Sequence, residues 1–102
     1  MYTYGGFDGE HLYSVLSQLD LKTLVWSQLS SEAELEGGPM RKDASGMVHF
    51  NSDKFAVIGG YACPAGPIQP GSSFVQNSLF TDGTGWTNEF HVFDIKLGIQ
   101  LM

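Results

Sequence analysis

The chain has 102 residues, 42% of them hydrophobic and 16% charged, and a formal net charge of −6 at pH 7. Such a length holds at most one small domain with a modest core, and the apolar content excludes a disordered chain. The acidic balance argues against a nucleic-acid backbone or an anionic membrane as partner.

The chain opens on "MYTYGGF", a strand-like run that ends in two adjacent glycines and an aromatic. With no charged and apolar leader before it, no signal peptide is expected, and the setting reads as cytoplasmic or nuclear. No apolar stretch approaches a membrane span. The next segment, "HLYSVLSQLDLKTLVW", fits a helical stripe only loosely, and its Asp-Leu-Lys-Thr break reads as a hairpin turn. Strands are therefore predicted over 1–6, 11–20 and 24–29. "SSEAELEGG" reads as an acidic, solvated linker. "PMRKD" follows it and brings the paired basic residues Arg41 and Lys42 beside Asp43. Strands are predicted again over 45–51 and 53–60, joined by the tight turn "NSD". A long insert, 61–87, in which "FVQNSLF" reads as an extra strand or a helical turn, precedes strands over 88–94 and 98–102, joined by the turn "DIKLG". The prediction rests on short segments rich in Val, Phe, Tyr and Leu and bounded by Gly, Asp, Asn and Lys.

The second half repeats the first. Gly5-Gly6 aligns with Gly59-Gly60, and each pair is followed by an aromatic, Phe7 or Tyr61. "SVLSQLD" aligns with "NEFHVFD", pairing Leu16 with Phe90, Leu19 with Phe93 and Asp20 with Asp94. Trp26 follows Asp20, whereas Gln100 stands at the matching place after Asp94. Double glycine, Asp and Trp in this order resemble the kelch repeat, and "PMRKDASGMVHF" resembles the segment that starts a kelch blade. The resemblance implies an all-β fold, a kelch-type β-propeller fragment of about one and three-quarter four-stranded antiparallel blades. Residues 1–29 would be a partial blade (strands B-C-D), 30–44 an inter-blade loop, and 45–102 a second blade whose B–C connection carries the insert. Both ends fall inside the pattern, so a piece of a larger ring is expected, unstable when isolated. Gly5, Gly6, Gly59 and Gly60 would end strands, Asp20 and Asp94 would cap turns, and Trp26 would fill space between blades.

Antiparallel order puts the long connections, 30–44 and 61–87, at one end of the blades, and binding residues concentrate on such loops. Arg41 and Lys42 are candidates for an acidic peptide or a terminal carboxylate. Tyr61 and Trp86 bracket the insert. "RKDASGMVHFNSDKFAVIGGY", a long insert and "GWTNEFHVFD" together resemble the kelch domain-containing protein two-like substrate receptors of cullin-RING ubiquitin ligases. That resemblance implies recognition of peptide C-termini, with Tyr61 and Trp86 lining the pocket. A lysine of the family's pocket falls on Ala44. The family's carboxylate-gripping arginines and its cullin-adaptor-binding tail belong to regions beyond these residues.

Chemistry is not expected. Ser72 and Ser73 stand in no nucleophile elbow, and "GTG" at 83–85 lacks the Lys-Ser/Thr ending of a phosphate loop. The lone Cys63 excludes an internal disulfide and a cysteine-based zinc site. His11, His49 and His91 have no ligand spacing. The expectation is a non-enzymatic protein-binding module without metal or cofactor. The alternatives are a scaffolding, cytoskeletal or signalling propeller, and a kelch-type copper oxidase whose ligands lie elsewhere.

Overall fold

The structure is a computed structural model and describes residues 1–50, 53–68, 71–94 and 99–101. Three antiparallel sheets carry the described residues, and none of these residues forms an α-helix. Strands β1 (Tyr2–Tyr4), β2 (Leu16–Asp20) and β3 (Val25–Ser30) form the first sheet, in that order. A four-stranded sheet holds β5 (Gly46–His49), β6 (Lys54–Ile58), β10 (Phe90–Asp94) and β11 (Ile99–Leu101), in the order β11-β10-β6-β5. The expected strand sequences B-C-D and A-B-C-D are thus present as two antiparallel sheets. No helix among the described residues is long and apolar enough to cross a membrane. The tight turns expected at 51–53 and 94–97 lie outside the described residues except for Asp53 and Asp94, and Met102 lies outside them too.

Alternation puts every second side chain of a strand on one face, and here it joins the two sheets. Tyr2, Tyr4 and Leu16 of the first sheet meet Phe55, Val57 and Phe93 of the second, with Ala33 alongside. Tyr2 stacks on Phe55 at 4.9 Å, Phe55 on Phe93 at 5.1 Å, and Tyr4 tilts against Phe93 at 5.8 Å. Burial of these aromatics is the main stabilisation holding sheet to sheet. The Tyr4 hydroxyl donates to the Pro39 carbonyl at 2.6 Å, so the connection between the sheets is tied to the same core.

Several expectations are corrected. Strand C of the first sheet starts at Leu16, not at residue 11, because Gly5 (φ 77°) and Gly6 (φ 134°) turn the chain out of β geometry opposite it. The segment 30–44 is not simply a solvated loop. It contains a 3-10 turn at Ala33–Glu36, with Ala33 fully buried, and the short strand β4 (Lys42–Asp43). Trp26 is 54% exposed on β3 and fills no space between the two sheets of this chain.

The insert forms a third sheet. It supplies β7 (Tyr61–Ala62), β8 (Phe74–Gln76) and β9 (Gly85–Thr87), and with β4 these run in the order β4-β7-β9-β8. β4, β7 and β9 adjoin β5, β6 and β10 along the chain and keep their lateral order, so the small sheet is a second storey on the four-stranded one. The storeys are separated where the backbone leaves β geometry, at Ala44 (φ 53°), Gly59 (φ 63°) and Gly60 (φ 113°).

Candidate functional site

β4 is the centrepiece of the loop end. The Lys42 amide donates to the Tyr13 carbonyl at 3.1 Å, and the Lys42 carbonyl accepts from the Gly6 amide at 2.8 Å. On its other edge β4 pairs with β7, Lys42 opposite Ala62 and Asp43 opposite Tyr61. Both glycine pairs crowd this strand. A Cβ on Gly5 would stand 2.1 Å from the Lys42 carbonyl oxygen, and one on Gly60 would stand 2.9 Å from the Asp43 oxygen. The repeated glycines therefore do more than end strands: they let one strap of backbone pass close against both of them.

Period-2 alternation then sorts the side chains. Cross-strand partners share a face, so Asp43, Tyr61, Trp86 and Val75 form one row across the small sheet. This row looks outward: Trp86 is 53% and Val75 63% exposed. The neighbouring row, Lys42, Ala62 and Gly85, is buried. Tyr61 and Trp86 meet edge to face at 5.6 Å. The Tyr61 hydroxyl shares a hydrogen bond with the Thr84 hydroxyl at 2.6 Å and accepts from the Asn77 amide at 3.2 Å. With its hydroxyl fixed from two sides, the ring of Tyr61 is held in place.

Beside this row lies a cavity of about 180 Å³ lined by Phe7, Leu12, Asp43, Tyr61, Asp82 and Thr84. Phe7 and Tyr61 are the two aromatics that follow the repeated glycine pairs, so the repeat places one on each side of the same hollow. Asp82 accepts from the Thr84 amide at 3.1 Å and from its hydroxyl at 2.6 Å. These bonds hold its carboxyl below the usual carboxylate range. Nearby, Asp8 caps its own loop. It accepts from the His11 amide at 2.7 Å, from the Glu10 amide at 2.8 Å and from the Tyr13 hydroxyl. The Tyr13 hydroxyl first, then the two amides, hold Asp8 well below its ordinary range.

The basic pair expected at this end is divided. Arg41 Nε donates to Glu34 at 2.8 Å, and Glu34 also accepts from the Ala65 amide at 2.9 Å. Lys42 is 0% exposed, and its ammonium donates to Glu89 Oε1 at 2.6 Å and to the Gly59 carbonyl at 3.0 Å. Lys42 is therefore corrected from a surface ligand group to a buried structural one, because alternation on β4 turns it to the inner face. Burial pushes the lysine down from its ordinary pKa, opposed by Glu89 and, more weakly, Glu34.

The remaining candidates sit elsewhere. Asp20 accepts from the Lys22 and Thr23 amides at 2.8 and 3.2 Å, the turn-capping role expected of it. Asp94 stands 3.9 Å from Lys54, its partner across β10 and β6, at the far end of the four-stranded sheet. His49 packs on Tyr2 and Phe55, and His91 is buried against Phe93. Cys63 is half-buried, its thiol directed to the Asp82 carbonyl at 3.7 Å. No group of three His, Cys, Asp or Glu side chains among the described residues is placed to hold a metal.

Residues missed in the sequence are Asp43, Asp82, Thr84, Asn77 and Glu89. Asp43 was legible only as a neighbour of the basic pair. Its role follows from parity with Tyr61 across a strand too short to show a period. No protein-family model matches the chain, and no curated protein matches it.

Proposed function

We propose that the chain is a non-enzymatic peptide-binding module, part of a kelch-type β-propeller in the cytoplasm or nucleus. In this reading it belongs to the substrate-recognition surface of a cullin-RING ubiquitin ligase. The observation that carries the proposal is the outward row Asp43–Tyr61–Trp86–Val75, with an exposed indole braced against a phenol that is itself fixed. Rigid, half-exposed aromatics are the side chains that dominate binding energy at interfaces. The part of the reading that needs a free cation for a peptide's terminal carboxylate has least support, since Arg41 is held by Glu34 and Lys42 by Glu89.

A second reading has its own observation. Leu24, Val25, Trp26 and Leu29 are all exposed on or beside β3, which favours a scaffolding surface there. Isothermal titration with peptides ending in glycine, and with their amidated forms, separates the two. Trp86→Ala is expected to weaken peptide binding at least tenfold, a loss of about 1.4 kcal/mol, with the melting profile unchanged. Binding that is indifferent to Trp86→Ala and lost on Trp26→Ala would replace the first reading by the second.

A further inference from the structure

The loop end of the molecule has a charge character that the basic pair in the sequence conceals. Its cations are already matched. Arg41 faces Glu34 and Lys42 faces Glu89. Of the other described basic residues, Lys22 lies in the β2–β3 turn and Lys54 at the start of β6, both at the opposite end; Lys96 lies outside the described residues. What remains at the cavity is acidic: Asp43, whose carboxylate accepts no hydrogen bond from a described residue, and Asp82, whose carboxylate accepts from the Thr84 amide and hydroxyl. Besides Thr84, the rest of the lining is apolar or aromatic: Phe7 and its bridge partner Leu12, which follow the first glycine pair, and Tyr61, which follows the second. Trp86 extends the aromatic wall beside Tyr61.

Aromatic faces with carboxylates at their edge attract cations. The ring quadrupole presents negative density to a positive group near its centre, and carboxylates beside it add counter-charge. A carboxylate ligand would meet repulsion from both aspartates here. A neutral side chain would leave them solvated and gain only the apolar contact.

We propose that this cavity takes the cationic side chain, arginine or lysine, of a bound peptide, with Asp43 and Asp82 as counter-charges and Phe7 and Tyr61 as its walls. The proposal rests on the reading that this face binds peptides, and it specifies which peptides. Arginine is favoured over lysine, because its planar guanidinium stacks on a ring while pairing with carboxylates at its edge.

The test uses acetyl-Gly-Gly-Xaa-Gly-Gly-amide peptides, blocked at both ends, with Arg, Lys, Gln or Glu at Xaa. The full chain is titrated and followed by the Trp86 indole and Tyr61 ring resonances in NMR spectra. The expected result is binding of the Arg and Lys peptides at least tenfold tighter than the Gln peptide, with the Glu peptide weakest. Asp43→Asn combined with Asp82→Asn should remove that preference while the urea midpoint stays within the range of ordinary surface substitutions. Gln or Glu peptides binding as tightly as Arg would overturn the inference and leave the peptide-binding reading standing. An Arg preference that survives both substitutions would overturn the assignment to this cavity. No response to any of the four peptides, nor to glycine-ended ones, would overturn both.

Discussion

Gly5→Ala is expected to be among the most damaging single substitutions in the chain, lowering stability by about 3–5 kcal/mol. Two costs add. At φ 77° an L-residue is strained, typically by about 1–2 kcal/mol. The new methyl would also stand 2.1 Å from the Lys42 carbonyl oxygen, a backbone atom that cannot rotate away. To make room, β4 must move, and with it the Gly6 to Lys42 hydrogen bond and the pairing of β4 with β7. Gly6→Ala is the control. Its φ of 134° carries strain, but a Cβ there meets nothing within 4 Å. Urea denaturation of the two variants should therefore separate clash from strain, with Gly5→Ala the less stable by about 2 kcal/mol or more. Equal midpoints would mean that β4 does not pass against Gly5.

Lys42→Met comes next. The substitution leaves Glu89, 1% exposed, with an uncompensated charge whose only described donor is the Met40 amide at 2.9 Å. Removing one partner of a buried ion pair generally costs about 3–5 kcal/mol, mostly through the charge left behind. Lys42→Met combined with Glu89→Gln removes both charges and keeps an acceptor for the Met40 amide. That double variant is expected to be more stable than Lys42→Met alone, by about 1–3 kcal/mol. A double variant less stable than the single one would show that the pair is not what holds β4 between the storeys.

Both effects centre on a strand of two residues, and this explains what was legible in the sequence. The five-residue strands β2, β6 and β10 carry enough apolar character, and enough of the repeated Gly-Gly and Asp punctuation, to be found by eye. Their lateral order follows from the repeat. Of the upper sheet only β8 is legible, inside "FVQNSLF"; the rest does not announce itself, because strands of two or three residues show no alternation and "YACPAGPIQPGSS" reads only as turn chemistry. Lys42 illustrates the same limit in one residue. Beside Arg41 it looks like half of a basic patch, yet its partner Glu89 lies 47 positions away and meets it only through the fold. Tyr61 and Trp86 were found as the two ends of the insert. That they face each other across adjacent strands follows from the register of β7 and β9. Trp26 shows the converse: a large aromatic at a repeat position suggests packing between blades, and within this chain both faces of β3 are open.

The account turns on whether the outward row of the upper sheet is the surface that meets a partner. The most direct measurement is a chemical-shift map of the chain saturated with the arginine peptide. Perturbations are predicted at Asp43, Tyr61, Val75 and Trp86, reaching Phe7 and Leu12 across the cavity, with β3 unaffected. A map centred instead on Val25, Trp26 and Leu29, with Trp86 unmoved, would contradict it.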